Sequence, residues 1–86
     1  MNIEMYTTQT CPYCVNAKAL LKQKGLEYTE IDVSKDADKA KEMVERSGYQ
    51  TVPQIFIDGE SIGGFTELIK LNGAGALVEP YFVNDK

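Results

Sequence analysis

The chain has 86 residues, 43% of them hydrophobic and 26% charged, and its 13 acids against 9 bases give a formal charge of −4. That length supports one hydrophobic core and buries only a little over ~60% of the unfolded surface, so a single domain over residues 1–86 is expected. An acidic chain without a basic block is a poor nucleic-acid partner. The absence of His excludes Ser-His-Asp and Cys-His triads, His-ligated metal and imidazole proton shuttling.

Taken in order, Ile3-Glu4-Met5-Tyr6-Thr7 alternates apolar and polar residues and reads as a short strand. The opening residues carry neither an apolar h-region nor a cleavage site, and no lipidation motif is present. No apolar run approaches the ~20 residues that span a bilayer. The expectation is a cytoplasmic protein in a reducing setting, with no membrane contact. From Pro12 to Lys24, Cys14, Ala17, Leu20 and Leu21 recur at helical spacing, with Pro12 suited to the first helical position and Gly25 to the stop. Leu26 to Val33 reads as a second strand. Ser34 or Asp36 caps a second helix that presents Ala37, Ala40, Met43 and Val44 and ends at Gly48. A parallel, right-handed βαβ unit follows.

The second half changes character. Gln54-Ile55-Phe56-Ile57 is a strand, Asp58-Gly59 a strong hairpin signal, and Ser61-Ile62 the returning strand. After Gly63-Gly64, a helix runs from Phe65 to Leu71 and is broken by Gly73 and Gly75. Leu77, Val78, Tyr81 and Phe82 are expected to form a last helical cap. The predicted class is α/β in the order β-α-β-α-β-β-α, a four-stranded mixed sheet with helices on both faces.

In a reducing setting, two cysteines this close are more often catalytic, redox-active or metal-binding than a staple. They lie in Thr10-Cys11-Pro12-Tyr13-Cys14, where the first strand meets the first helix. With Pro12 at N1, Cys11 is the N-cap and Cys14 is N3. The Cys11 sulfur then faces the free amides of Tyr13 and Cys14 and the positive end of the helix dipole. Helix N-termini and C-x-x-C turns lower a free thiol's pKa from ~8.5 to roughly 3.5–7.5. Cys11 is therefore the predicted nucleophile. Cys14, one turn further in and more buried, is the resolving thiol that attacks a mixed disulfide at Cys11. Other uses stay open on these residues alone. An intrachain zinc would need about four Cys or His ligands, so no metal is expected within one chain. A dimer could share a four-cysteine site or a bridged iron–sulfur cluster. A permanent disulfide would close a tiny loop and constrain little.

Two further segments suggest binding. In Thr51-Val52-Pro53, the proline cannot donate to a ladder and belongs at the start of a strand. Gly63-Gly64 lets a ligand approach the backbone. The following helix start offers the amides of Phe65 and Thr66, and the Thr66 hydroxyl, to a carboxylate.

Together, Tyr6-Thr7, Thr10 to Cys14, Thr51 to Ile57 and Ile62-Gly63-Gly64 resemble the glutaredoxins of the thioredoxin superfamily, and in particular the small bacterial dithiol type. Thioredoxins proper carry a Trp before Cys-Gly-Pro-Cys, and this chain has no Trp. The resemblance implies a thioredoxin fold and a cis Val52–Pro53 bond opposite the cysteine turn. It implies glutathione as co-substrate, with no tightly bound cofactor. The implied activity is reduction of protein disulfides by Cys11 and Cys14, and of protein–glutathione mixed disulfides by Cys11 alone. The implied partners are glutathione and disulfide-containing or glutathionylated proteins, met by a monomer.

Carried onto this chain, glutathione would join Cys11 through its sulfur and pair its backbone with Val52 beside Thr51 and Pro53. Its γ-glutamyl carboxylate would meet the amides of Phe65 and Thr66 next to Gly64. Tyr13 would wall the cleft. Pro12 would stiffen the turn, and Glu67 would stand where relatives often hold the γ-glutamyl ammonium. One departure matters: many relatives carry Lys where this chain has Thr8. Lys39, Lys41 or Gln50 is then expected to meet the glycyl carboxylate, with weaker glutathione affinity or a less depressed Cys11 pKa as the consequence. The alternatives are a dimer bridging a [2Fe–2S] cluster through Cys11 and glutathione, and a thioredoxin-like reductant recycled by a flavin reductase.

Overall fold

Alternating side chains on two central strands divide the interior into two cores. Strand β1 (Ile3–Thr7) and strand β3 (Gln54–Ile57) lie at the middle of a four-stranded sheet. Ile3, Met5, Ile55 and Ile57 point to one face and Tyr6 and Phe56 to the other, as the period of two requires. The computed structural model of the chain describes residues 2–73 and Gly75, so the expected cap at Leu77, Val78, Tyr81 and Phe82 lies outside the described residues.

Helix α1 (Pro12–Gln23) and helix α3 (Phe65–Gly73) cover the first face through Ala17, Leu21 and Leu68. Helix α2 (Ala37–Ser47) covers the other through Met43, with Val44 beside it. Strand β2 (Thr29–Asp32) runs parallel to β1, and strand β4 (Glu60–Gly63) runs antiparallel to β3, giving the order β2-β1-β3-β4. Since β1 and β3 are antiparallel, the sheet is mixed, as the β-α-β-α-β-β-α reading requires. No described helix is long and apolar enough to cross a membrane.

Local chemistry sets the boundaries. Asp58 and Gly59 both take positive φ, 53° and 84°, as a two-residue primed hairpin turn needs. Gly48 ends α2 in the left-handed conformation. Of the two expected caps for α2, Asp36 serves, accepting the Lys39 amide at 3.1 Å. Ser34 is instead spent locally, its amide donating to Asp32 at 2.8 Å.

The second strand is shorter than the alternation from Leu26 to Val33 predicts. The Leu26 amide donates to the Leu21 carbonyl at 2.9 Å and that of Gly25 to Lys22 at 3.0 Å. This pair of bonds closes α1 in a Schellman motif. It commits Leu26 to the helix stop, and its side chain packs against the first core. Pairing with β1 begins only at Thr29.

The α2 face is held by a polar clasp as well. Arg46 lies over the Phe56 ring at 3.9 Å, donates to the Tyr6 hydroxyl at 2.7 Å, and pairs with Glu4 at 3.0 Å. The buried Tyr6 hydroxyl donates in turn to Glu42. Tyr6 meets Phe56 edge to face, with centroids 5.6 Å apart. Burial and the Glu42 carboxylate hold the Tyr6 phenol above its ordinary range. The clasp anchors α2 to the strands that carry the cysteine turn and the proline loop.

Candidate active site

The end of β1 and the start of α1 place the two sulfurs. Pro12 occupies the first helical turn and leaves Cys11 as the N-cap in extended conformation. Cys11 Sγ accepts the Cys14 backbone N–H at 3.1 Å, the bond an N-cap side chain makes to N3. The sequence places two amides around this sulfur. The hydrogen bond that forms is the one from Cys14, because the N-cap geometry aims the side chain at N3. Both cysteines are free thiols. Cys11 is 9% exposed and Cys14 1%, so Cys11 is the accessible partner.

Burial sets the two thiols apart chemically. It pushes the Cys14 thiol up to about 12, and the hydrogen bond and charge of Cys11 add to the rise. The Thr8 backbone amide and the Lys18 ammonium act in the opposite direction. Cys14 is therefore held protonated at neutral pH.

Opposite the turn, the Val52–Pro53 bond is cis. The Cys11 thiol donates to the Val52 carbonyl at 3.6 Å, which joins the cysteine turn to the head of β3. Thr51 Oγ1 accepts from the Gln54 side chain at 3.2 Å and so ties the loop to that strand. Beyond Gly64, the N-cap of α3, the helix start forms half of a capping box. Glu67 Oε1 accepts the Gly64 amide at 2.8 Å, which holds the Glu67 carboxyl below its usual range. The amides of Phe65 and Thr66 belong to the first turn of that helix and face no helical carbonyl. Gly63 adopts φ +116°, and a Cβ there would stand 2.9 Å from the Glu67 side chain. Gly63 is thus required by its conformation, while a Cβ at Gly64 would stand 3.3 Å from the Pro53 carbonyl oxygen.

A groove of about 560 Å³ is lined by Tyr13, Thr51, Val52, Pro53, Gly64, Phe65, Thr66 and Glu67, among others, and Cys11 adjoins it through its contact with Val52. Tyr13 stacks on Phe65 across it, with centroids 6.1 Å apart.

The similarity of the chain to known proteins follows the same motifs. The family model described as glutaredoxin matches residues 3–62. The chain belongs to the glutaredoxin family. It is 51% identical over 76 residues to Glutaredoxin 3 of Escherichia coli strain K12, covering 88% of this chain and 92% of that one. The solution structure of glutaredoxin from Brucella melitensis superposes with a TM-score of 0.78 at 47% identity, over 90% of this chain and 84% of the other. A crystal structure of a buckwheat glutaredoxin–glutathione complex superposes with a TM-score of 0.78 at 28% identity, over 85% of this chain and 69% of that one. The sheet and the three helices among the described residues are accordingly the glutaredoxin form of the thioredoxin fold. The chain has the thiol–disulfide oxidoreductase role of the family.

The lining of the glutaredoxin groove differs from the sequence reading at several positions. Lys39, Lys41 and Gln50 are absent from the groove lining, and Lys39 is paired with Glu42 at 3.4 Å. Among the described residues, the lining includes no Lys or Arg. The helix that carries Lys39 and Lys41 packs on the opposite sheet face and turns them toward solvent. Tyr49, 62% exposed, is a lining residue that the sequence reading misses. Its signal is slight: an aromatic residue after a helix-ending glycine, just before Thr51-Val52-Pro53.

Proposed function

We propose that this glutaredoxin reduces protein disulfides and protein–glutathione mixed disulfides at the expense of glutathione. The observation that carries the reading is the placement of Cys11 Sγ. It sits at a helix N-terminus, 3.1 Å from the Cys14 amide and 3.6 Å from the carbonyl of Val52, a residue that lines the groove. The glutathione complex of the buckwheat relative supports the choice of ligand.

In the monothiol route, the Cys11 thiolate attacks the glutathione sulfur of a protein–glutathione disulfide. The protein leaves as thiolate, glutathione stays on Cys11, and a second glutathione releases it as glutathione disulfide. In the dithiol route, Cys11 attacks a protein disulfide and Cys14 displaces the partner. Glutathione lies extended, its backbone beside Thr51, Val52 and Pro53 and its γ-glutamyl carboxylate at the amides of Phe65 and Thr66. Tyr13 walls the sulfur end and Glu67 faces the γ-glutamyl ammonium. Glutathione is a co-substrate and no resident cofactor is invoked. The protein acts as a monomer in a reducing cytoplasm.

The test couples reduction of a glutathionylated peptide to glutathione and glutathione reductase, and in parallel to thioredoxin reductase. Turnover through glutathione alone is expected. Turnover only through thioredoxin reductase overturns the reading. A second result follows from the groove's composition. With no Lys or Arg among its described lining, the groove offers the glycyl carboxylate no cationic side chain. Thr8→Lys is therefore expected to lower KM for glutathione several-fold, as one partly exposed charge pair of about 1 kcal/mol allows. Steady-state kinetics at varied glutathione check this, and an unchanged KM removes the argument.

A further inference from the structure

The buried Cys14 must become a nucleophile in a protein without a histidine to take its proton. Behind it stands a group that the chemistry above does not use. Lys18 follows Cys14 by one turn of α1, and residues so spaced share a helix face with their Cβ atoms about 5–6 Å apart. Its ammonium is tethered from two strands. Lys18 Nζ donates to Glu30 Oε2 of β2 at 2.9 Å. The wholly buried Thr7 of β1 donates through Oγ1 to the same carboxylate oxygen at 2.8 Å. The Lys18 side chain is only 28% exposed. This bond holds Lys18 above its ordinary range and Glu30 below its own, so both stay charged through neutral pH.

We propose that Lys18 is the positioning cation of the resolving half-reaction: fixed by Glu30 and Thr7 behind Cys14, it stabilises the Cys14 thiolate that attacks the mixed disulfide on Cys11. The proposal rests on the reading of Cys14 as the resolving thiol. In that step the Cys14 thiol gives up its proton to solvent and its sulfur attacks Cys11 Sγ. The Cys11–Cys14 bond forms and the bond from Cys11 to the partner sulfur breaks. The electron pair leaves on the partner thiolate, which takes a proton. The two cysteines are oxidised and the partner is reduced.

The surroundings make the timing specific. Two of the influences that keep Cys14 protonated, the hydrogen bond and the charge of Cys11, vanish once Cys11 is bonded to a partner. The Thr8 amide and the Lys18 charge remain. The groups facing this pair are few. From α1 come Cys11 and Lys18, from β1 the uncharged Thr7 and the Thr8 amide, and from β2 Glu30, with Tyr28 just before it and Asp32 beyond it. Of these, Lys18 is the cation.

A single-turnover, acid-quenched reaction with a disulfide-bonded peptide tests the inference. It separates capture, seen as the mixed disulfide, from resolution, seen as the released peptide dithiol. K18Q is expected to slow resolution about fivefold, the scale of one half-exposed charge interaction, to leave capture unchanged, and to shift the pH profile of resolution toward alkaline pH. K18R keeps the charge and is expected to stay within about twofold of wild type. Unchanged resolution in K18Q, equal slowing of capture and resolution, or a K18R loss as large as that of K18Q overturns the proposal. C14S is the control for the reading beneath it. If C14S still releases the peptide dithiol, the dithiol route itself fails, independently of Lys18.

Discussion

Cys14→Ser is expected to abolish reduction of protein disulfides while sparing removal of glutathione from glutathionylated proteins, and Cys11→Ser to abolish both. The reason lies in where each sulfur stands. Cys11 is the N-cap, receives the Cys14 amide at 3.1 Å and is the more exposed of the two sulfur-bearing residues, beside Val52 of the groove, so it is the one a partner reaches. Cys14 is 1% exposed and points at Cys11 from the next turn, so its chemistry is confined to a sulfur already attached there. Deglutathionylation ends when free glutathione attacks the adduct on Cys11 and needs no second protein thiol. Release of a protein partner does need one, because the partner's own second thiol otherwise reverses the capture. The loss in each affected assay should exceed roughly a hundredfold, since serine at neutral pH is neither a competent nucleophile nor a leaving group in exchange. Parallel glutathione-coupled assays with the two substrate types decide it. Loss of both activities in the Cys14 variant, or of neither, contradicts the assigned roles.

Much of this arrangement is written in short range. Alternation marks β1 and β3, Pro12 and Gly25 bracket α1, and Asp58-Gly59 fixes the hairpin, because each depends on neighbours within a few residues. The cysteine roles are local too, since the N-cap and N3 positions follow from Pro12. What lies beyond the sequence depends on contacts between distant segments. The end of the first helix borrows Leu26 from the expected second strand, a choice decided by two bonds back into the helix. The Arg46 clasp joins residues some 40 positions apart, and no periodicity reports it. Charge alone suggests Lys39 and Lys41 for the groove, whereas the sheet face on which α2 packs, which the sequence does not report, leaves both outside its lining. Lys18 reads as an ordinary polar position of α1, since its meaning comes from Glu30 on a neighbouring strand.

The same burial that makes Cys14 wait should be visible as a loss of stability in alkaline solution. A thiol whose folded-state pKa is raised stays protonated in the folded protein while the unfolded chain ionises. Its contribution is therefore complete below the ordinary thiol range and falls as pH rises toward the folded value. For Cys14 that window runs from near 9 up to about 12. One pH unit into it costs about 1.4 kcal/mol, a sizeable part of the roughly 5–15 kcal/mol that holds a domain together. Tyr6 is raised as well, by burial and by Glu42, but its ordinary value is 10.0, so it adds to the decline only above that pH. The interval between about pH 7.5 and 10 therefore isolates the cysteine. Urea unfolding under reducing conditions should show wild type losing about 1.4 kcal/mol more than Cys14→Ser over that interval, because serine has no proton to release there. Parallel declines in the two proteins would mean that Cys14 is no better protected from ionisation in the fold than in the open chain. A thiol so exposed to ionisation would have no need of Lys18, so this measurement bears on the resolving step as well as on the fold.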